Sequence, residues 1–222
     1  MKKAAAAFMF ACLSTLLFAL DFKSLEKSAG IGFTVSPYWH TEEARSDAEL
    51  SRRTFQTLLY GVSAYFDATY VQASVGFGWS SSLVALKVDD DLGIMGGVED
   101  VVYGDYPVET YLALALLGKY PFDMGGFYVF PIAGCEYDLS LRDTGMSGDD
   151  LDFDKVLWLK AGIGLDIPIV GKVYIRPEAL ACYRLRTSRE AQMISDYKSS
   201  GAKDASVTNV KADISLLVGY EL

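Results

Sequence analysis

After residue 20 the sequence has no long apolar run, which excludes a transmembrane helix of ~20 residues from that part of the chain. Even so, 51% of all residues are hydrophobic, and they include 14 Tyr and 12 Phe. The apolar residues must therefore be dispersed with a short period. The period that fits is two, which is typical of β-strands.

Basic residues are also few. The chain has 20 Lys and Arg against 29 Asp and Glu, for a formal net charge of −9. This balance excludes the basic surface that nucleic-acid binding requires, so we predict no nucleic-acid partner.

The sequence contains a single histidine, His40, which is the only candidate for a catalytic general base. A general base needs a partner within hydrogen-bond reach, and no motif around His40 supplies one. The acidic run at 87–93 lacks the spacing of an EF-hand. We therefore predict no enzyme, no cofactor and no metal site.

The first 20 residues differ from the rest. Lys2 and Lys3 precede an uncharged apolar stretch that ends before Asp21. This order predicts a cleaved secretory signal peptide over 1–20 and a mature domain over 21–222. One alternative is a transmembrane helix, for which the run from Ala4 to Leu20 is slightly short. A lipid-modified Cys12 is the other, although the residues before it match the lipoprotein pattern poorly.

Eight later segments alternate apolar with polar or small residues. In the last one, 210–222, apolar residues hold every even position. Eight strands of this length predict a closed antiparallel barrel. The predicted strands are 30–39, 54–66, 69–80, 106–120, 126–138, 154–167, 172–185 and 210–222; apolar residues lie on both faces of 126–138.

Such a barrel can face either way: a soluble lipocalin-like barrel turns its apolar face inward, and a membrane barrel turns it toward lipid. Connection lengths favour the membrane barrel, because short and long connections strictly alternate, as periplasmic turns and extracellular loops do. The short ones are 67–68, 121–125 and 168–171, and the long ones are 40–53, 81–105, 139–153 and 186–209.

Two further patterns favour the membrane barrel. The polar face is rich in Gly, Ala and Ser, as a narrow interior requires, and aromatic residues stand near strand ends on the apolar face. The predicted interfacial aromatics are Trp39, Trp79, Tyr120, Tyr183 and Tyr220. The fold class is thus all-β: an eight-stranded, up-and-down transmembrane β-barrel with short periplasmic turns and long extracellular loops.

The signal peptide, the eight-strand layout over 30–222 and the alternation of Ile214, Leu216, Val218, Tyr220 and Leu222 resemble the small bacterial outer-membrane barrels. That group contains the outer membrane protein A transmembrane domain and the outer membrane protein X and W families. The resemblance implies a place in the outer-membrane bilayer of the cell envelope. It also implies that Tyr220 and Leu222 form a C-terminal signal for the barrel-assembly machinery, although many members end in Phe.

The alternation sends many charges of both signs into the lumen, where they should pair. They form either a structural plug or a narrow, porin-like pore for small solutes, with room left by inward glycines such as Gly30, Gly78 and Gly164. The predicted charge network and gate candidates are Glu109, Lys119, Glu136, Lys160, Asp166, Arg176, Glu178, Arg184, Lys211 and Asp213, with Asp138 and Glu221 on the same face. Outer membrane protein W family members would take up small hydrophobic compounds through a more apolar lumen than this one.

The long acidic loops 81–105 and 186–209 give another alternative, in which the protein is a surface adhesin that binds an extracellular ligand.

Cysteine placement tests the strand assignment. Cys135 is predicted to face lipid on the fifth strand and Cys182 to face the lumen on the seventh, which disfavours a disulfide between them and predicts free thiols.

Overall fold

The computed structural model describes residues 26–46, 50–90, 100–105, 109–141 and 155–222. The predicted signal peptide lies outside these residues. Within them the chain forms eleven strands and one helix: β1 Lys27–Arg45, β2 Leu50–Ala68, β3 Val71–Ser80, β4 Leu83–Asp90, β5 Asp100–Asp105, β6 Thr110–Lys119, β7 Phe122–Asp123, β8 Tyr128–Ser140, β9 Lys155–Val170, β10 Val173–Arg184, α1 Ser188–Ser199 and β11 Asp204–Glu221.

Eight of these strands close into a ring in the order β1, β2, β3, β6, β8, β9, β10 and β11, and every neighbouring pair is antiparallel. The first and last strands pair along nearly their whole length, from Ser28 opposite Glu221 to Arg45 opposite Asp204. Closure leaves no strand edge of the ring unpaired, as the lipid interior requires. The predicted eight-stranded barrel is confirmed.

The exterior of the ring is apolar. Ile31, Val62 and Ile214 are 69%, 47% and 59% exposed, whereas Arg176 and Lys211 inside the ring are 1% and 4% exposed. A water-soluble barrel would have the opposite distribution, so the lipocalin-like alternative is wrong. Among the described residues, no helix is both long and apolar enough to cross a bilayer.

The interfacial aromatics lie at two levels on this apolar exterior. Tyr120 and Tyr220 stand near the end with short turns, and both are about half exposed. Trp39, Trp79 and Tyr183 stand toward the other end, where Trp79 stacks on Tyr60 at a ring-centroid distance of 6.1 Å. This placement suits two girdles; that role stays a prediction.

The first short turn differs from its predicted position. β2 continues through Asp67 and Ala68, and the two-residue turn is Thr69–Tyr70, with Thr69 in the left-handed region at φ 47. A shift of two residues keeps the same side chains inside. It also leaves Asp67 on the strand and directed into the lumen, where it is 3% exposed.

Three of the predicted loops contain regular structure. The barrel strands β1 and β2 continue to Arg45 and Leu50, β4 pairs with the extended part of β2, and β5 pairs with β4. The loop 186–209 holds α1 and the first residues of β11. We call the sheet of β1, β2, β4 and β5 beyond the barrel the loop-end platform. Sequence alternation missed it because its hairpins continue strands already counted.

The facing of β8, undecided from sequence, is clear in the structure. Phe130 and Ile132 point inward and are 0% and 2% exposed. They pack with Leu117, Trp158 and Leu180 in an apolar cluster against one side of the lumen. Cys135 on β8 and Cys182 on β10 are free thiols, separated by β9 as predicted, with Cys182 in the lumen.

Candidate functional site

The lumen is crossed by two layers of buried ion pairs. The turn-end layer consists of Asp67, Gln72, Lys119, Asp166 and Arg176. The loop-end layer consists of Glu136, Asp138, Lys160, Lys211 and Asp213. The turn-end layer draws its residues from five strands, β2, β3, β6, β9 and β10, and so ties opposite walls of the barrel together, whereas the loop-end layer draws its residues from β8, β9 and β11.

Arg176 is the centre of the turn-end layer. Its Nε donates to Asp166 Oδ1 at 2.5 Å, and its Nη2 donates to Asp166 Oδ2 at 2.8 Å and to Asp67 Oδ2 at 2.6 Å. Its Nη1 donates to Gln72 Oε1 at 2.7 Å. A guanidinium is suited to this role because its planar donors engage several acceptors at once.

Aromatic rings enclose this guanidinium. The Cζ atom of Arg176 lies 5.1 Å from the ring centroids of Tyr65 and Phe130 and 5.2 Å from that of Tyr174. Tyr65 donates its hydroxyl to that of Tyr174 at 2.9 Å. Lys119 Nζ lies 2.5 Å from Asp67 Oδ2 and 4.5 Å from the Phe130 ring centroid. The packed rings and two cations occupy much of the lumen at this level, and a cavity of about 80 Å³ lies beside them, lined by Asp67, Lys119, Asp166 and Arg176.

The loop-end layer has two lysines between three carboxylates. Lys160 bonds Glu136 and lies 2.5 Å from Asp213 Oδ2. Lys211 Nζ lies 2.7 Å from Glu136 Oε1 and 3.9 Å from Asp138 Oδ2.

Neighbouring side chains hold these carboxylates in place. Ser36 donates to Asp213 Oδ1 at 2.5 Å, and Trp158 Nε1 donates to Asp138 Oδ2 at 2.8 Å. The indole ring of Trp158 also lies 4.7 Å from Lys211 Nζ, measured to its centroid.

A cavity of about 70 Å³ lies in the lumen. Charged residues of β8 to β11 form one wall, and small residues of β1 to β3 form the other. Gly61, Gly76 and Gly78 border it, although the ring of Tyr111 takes the space beside Gly78. The space beside Gly30 and Gly164 is taken by Tyr65 and Phe130. The inward glycines therefore admit aromatic rings more often than they leave room, contrary to the prediction from sequence.

The loop-facing mouth carries a third cluster, organised by α1. Thr187 caps the helix in a reciprocal capping box with Glu190, and Ile194 packs on Ala205 and Val207 of β11. Glu190 also bonds Arg184 and accepts from Asn209 Nδ2 at 2.6 Å. Burial disfavours its charged form, but hydrogen bonds from the Thr187 backbone and Arg184 hold the pKa of Glu190 below its usual range.

His40 belongs to this mouth cluster. Its Nδ1 lies 2.7 Å from Asn209 Oδ1, and its Nε2 lies 3.0 Å from Glu42 Oε1. Glu42 Oε2 accepts from Tyr197 of α1 at 2.8 Å, which raises the pKa of that phenol. His40 therefore has the carboxylate neighbour that no sequence motif indicated, and both ring nitrogens are occupied in linking β1 to β11 and α1.

Not all of the predicted charge network meets in one place. Lys119, Asp166 and Arg176 lie in the turn-end layer, and Arg184 lies at the mouth. Glu136, Lys160, Lys211 and Asp213 lie in the loop-end layer, and Glu178 lines the cavity. Glu109 is exposed, just before β6 begins, and Glu221 is exposed at the opposite end.

Sequence reasoning missed Asp67, because the turn was placed on it, and Gln72, because only charges were considered.

Tyr220 and Leu222 are 49% and 65% exposed. Leu222 N donates to Lys27 O at 2.8 Å. Their role in assembly stays a prediction.

In the described part of the chain, no three His, Cys, Asp or Glu residues are grouped as metal ligands.

No protein-family model and no curated protein matches the sequence. Among solved structures, the chain is similar to neisserial surface protein A (NspA), with 12% identity and TM-score 0.41 over 86% of this chain and 97% of that one. It is similar to the N-terminal β-barrel domain of Pseudomonas aeruginosa OprF, with 14% identity and TM-score 0.38 over 86% and 97%. It is also similar to the outer membrane protease OmpT from Escherichia coli, with 8% identity and TM-score 0.34 over 91% and 99%.

The chain is an integral outer-membrane β-barrel protein. Its own structure carries this conclusion: a closed antiparallel ring of eight strands, an apolar exterior and a polar interior. The lipid bilayer is thus the partner of the exterior face. The absence of enzymatic activity stays a prediction.

Proposed function

We propose that this protein is a closed barrel that anchors an extracellular platform and passes no solute at rest. The observation that carries the proposal is the pair of ion-pair layers in series. The turn-end layer is bonded to five strands around the lumen, and the loop-end layer joins β8, β9 and β11 and reaches β1 through Ser36. Eight strands leave an interior just wide enough for side chains to fill, and these layers narrow it at two levels.

Opening either layer requires separating buried charges, because a solute can pass only where the bonds of Arg176 or of Lys160 and Lys211 are broken. Leaving a buried ion without its partner costs about 3–5 kcal/mol. At 1.4 kcal/mol per factor of ten, an open layer is populated on the order of 10⁻² to 10⁻⁴ of the time. Two layers in series make simultaneous opening rarer still.

Single-channel recording in planar lipid bilayers tests this proposal. We expect no stable conductance from the wild-type chain, from Arg176→Ala or from the pair Lys160→Ala and Lys211→Ala, because each of these retains one closed layer. The variant that combines all three substitutions should conduct. Arg52→Ala on the loop-end platform is the control, and each variant must first show the heat-dependent gel shift of a folded barrel.

Two results would contradict the proposal of a closed barrel. Steady conductance in the wild type would show that the lumen is open and favour small-solute passage. Equal conductance in a variant that opens one layer and in the combined variant would show that the other layer does not close the barrel.

A second candidate function is extracellular ligand binding by the loop-end platform. The observation that favours it is the continued pairing of Ser51–Gln56 with Ala85–Asp90, which holds the hairpin of β4 and β5 rigidly against β2. Ordered backbone presents a fixed surface with little entropy left to lose on binding.

Replacing 83–105 with a short Gly-Ser linker should leave the barrel folded and remove two strands of the platform. We expect expressing cells to lose adhesion to cultured animal cells. Substituting the turn 171–172 with Asn-Gly, at the opposite end, is the control. Undiminished adhesion after removal of 83–105, at equal surface expression, would argue against this function.

A further inference from the structure

His40 is placed so that both of its ring nitrogens meet oxygen atoms. Its Nδ1 lies 2.7 Å from Asn209 Oδ1, and its Nε2 lies 3.0 Å from Glu42 Oε1. A neutral imidazole donates from one nitrogen only, whereas the protonated imidazolium donates from both. The protonation state of His40 therefore depends on whether both oxygens are obliged to accept.

Neighbouring side chains fix which way the amide of Asn209 points. Its Nδ2 donates to Glu190 Oε1 at 2.6 Å, and its Oδ1 accepts from the Tyr38 hydroxyl at 2.6 Å. Glu190 is ionised because Arg184 pairs with it. Turning the amide over would place its oxygen against that carboxylate, so the atom that faces His40 is an acceptor.

Glu42, on the other side of the ring, is also an acceptor. Its Oε2 accepts from the Tyr197 hydroxyl at 2.8 Å, which leaves Oε1 for His40. Arg53 stands directly opposite Glu42 in the pair of β1 and β2, which favours the ionised carboxyl group. His40 therefore faces an acceptor at each nitrogen, and only its charged form makes both bonds.

The elements packed around His40 supply charges of both signs. The charged and titratable groups are Tyr38 and Glu42 on β1, Arg53 on β2, Glu109 before β6, Arg184 on β10, Glu190 and Tyr197 on α1, and Lys211 on β11. Arg184 already pairs with Glu190, and Lys211 pairs with Glu136 in the loop-end layer. A positive charge on His40 thus gives Glu42 a bonded cation inside the mouth.

The two bonds of His40 also hold α1. Glu190 and Tyr197 of the helix bond the two partners of His40, and Ile194 packs on β11 as a third attachment. If His40 loses a proton, a nitrogen lone pair faces an acceptor, and one of the two partners has to move away. The imidazole is 17% exposed, so water can reach it and exchange its proton.

We propose that protonated His40 latches α1 to the loop-facing mouth of the barrel, and that the helix loosens when His40 loses its proton as the pH rises. Because both bonds require the charged form, the latch is complete at low pH and is lost at high pH. The sequence has no other histidine that could produce this response. The latch goes beyond closure of the lumen, because the two ion-pair layers lie deeper in the barrel and are bonded without α1.

Hydrogen–deuterium exchange of the α1 amides in the full mature chain, refolded in micelles, tests the latch. Exchange is measured at about pH 5 and about pH 8, on either side of the range in which histidine ordinarily titrates. Each rate is divided by that of the same peptide in the urea-unfolded chain at the same pH, which removes the direct effect of pH on exchange. We expect α1 to be protected about tenfold more, or better, at the lower pH, the effect of one hydrogen bond between charged groups. Protection of β10 should not change.

Two variants separate the latch from the other attachments of α1. His40→Gln is neutral at both pH values, so its helix should be weakly protected at both. Ile194→Ala removes apolar packing without touching His40, so it should lower protection at both pH values and keep the difference between them. The heat-dependent gel shift confirms folding of each variant before exchange.

A pH difference that persists in His40→Gln would overturn the proposal, because another group would then produce it. Equal protection of α1 in the wild type at the two pH values would overturn it as well. Nitrogen-15 spectra of the single labelled histidine in the wild-type chain show its protonation state directly. A neutral imidazole at the lower pH, with α1 protected, would contradict the assignment of His40 as the latch.

Discussion

Replacing Arg176 with alanine is expected to destabilise the barrel by about 3–5 kcal/mol, the cost of leaving buried charges without their partner. Arg176 is 1% exposed, and it bonds Asp67, Gln72 and Asp166 from three other elements of the ring. Its removal leaves Lys119 as the sole cation of the turn-end layer. It also leaves a space where three aromatic rings had packed on the guanidinium.

The measurement is the urea midpoint of unfolding in lipid vesicles, followed by tryptophan fluorescence. Arg52→Ala is the matched control. Arg52 Nε lies 3.3 Å from Glu43 Oε1, but the two side chains are 48% and 42% exposed. Such surface pairs contribute about 0–1 kcal/mol. Equal midpoints for Arg176→Ala and Arg52→Ala would show that the turn-end layer does not stabilise the fold.

Arg176→Lys separates charge from geometry. A lysine retains the positive charge but cannot present planar donors to two carboxylates and an amide together. We expect a midpoint between those of the wild type and Arg176→Ala, so a lysine variant as stable as the wild type would show that charge alone suffices.

Strand alternation predicted most of the barrel because one face of each strand meets lipid and the other meets the lumen. The last strand is the clearest case: Lys211 and Asp213 face inward, and Ile214 and Leu216 face lipid. β8 was undecided since its inward residues include Phe130 and Ile132, which pack against other side chains and not against water. Period alone cannot distinguish lipid from a packed apolar interior.

The turn at Thr69–Tyr70 shows a different limit of prediction from sequence. Asp67-Ala68 has the composition of a turn, yet Asp67 is held on β2 by Lys119 and Arg176, which come from distant parts of the chain. Side-chain pairing across the lumen thus decides where the hairpin ends. The ion-pair layers themselves were predictable only as a set of inward charges, since sequence does not give the height at which each one lies.

The glycines show most directly what the sequence does not determine, which is how closely each glycine approaches its neighbouring strand. Gly162 and Gly61 both face the lumen. A Cβ at Gly162 would contact Ala179 O and would lie 2.8 Å from Leu180 Cα, and these are backbone atoms of β10 that cannot rotate away. A Cβ at Gly61 would lie 3.6 Å from its nearest neighbour, Phe77 O, which is ordinary contact.

Replacing glycine with alanine should therefore change the stability of the barrel in opposite directions at the two sites. Gly162→Ala must push β9 and β10 apart in the closed ring, so we expect destabilisation of about 1–3 kcal/mol or more. Gly61→Ala should stabilise the barrel by about 0.4–1 kcal/mol, because alanine has less conformational entropy to lose on folding. Folding yield in micelles and the urea midpoint measure both effects. Equal midpoints for the two variants would mean that β9 and β10 do not approach as closely as the structure shows, because only that approach distinguishes the two glycines.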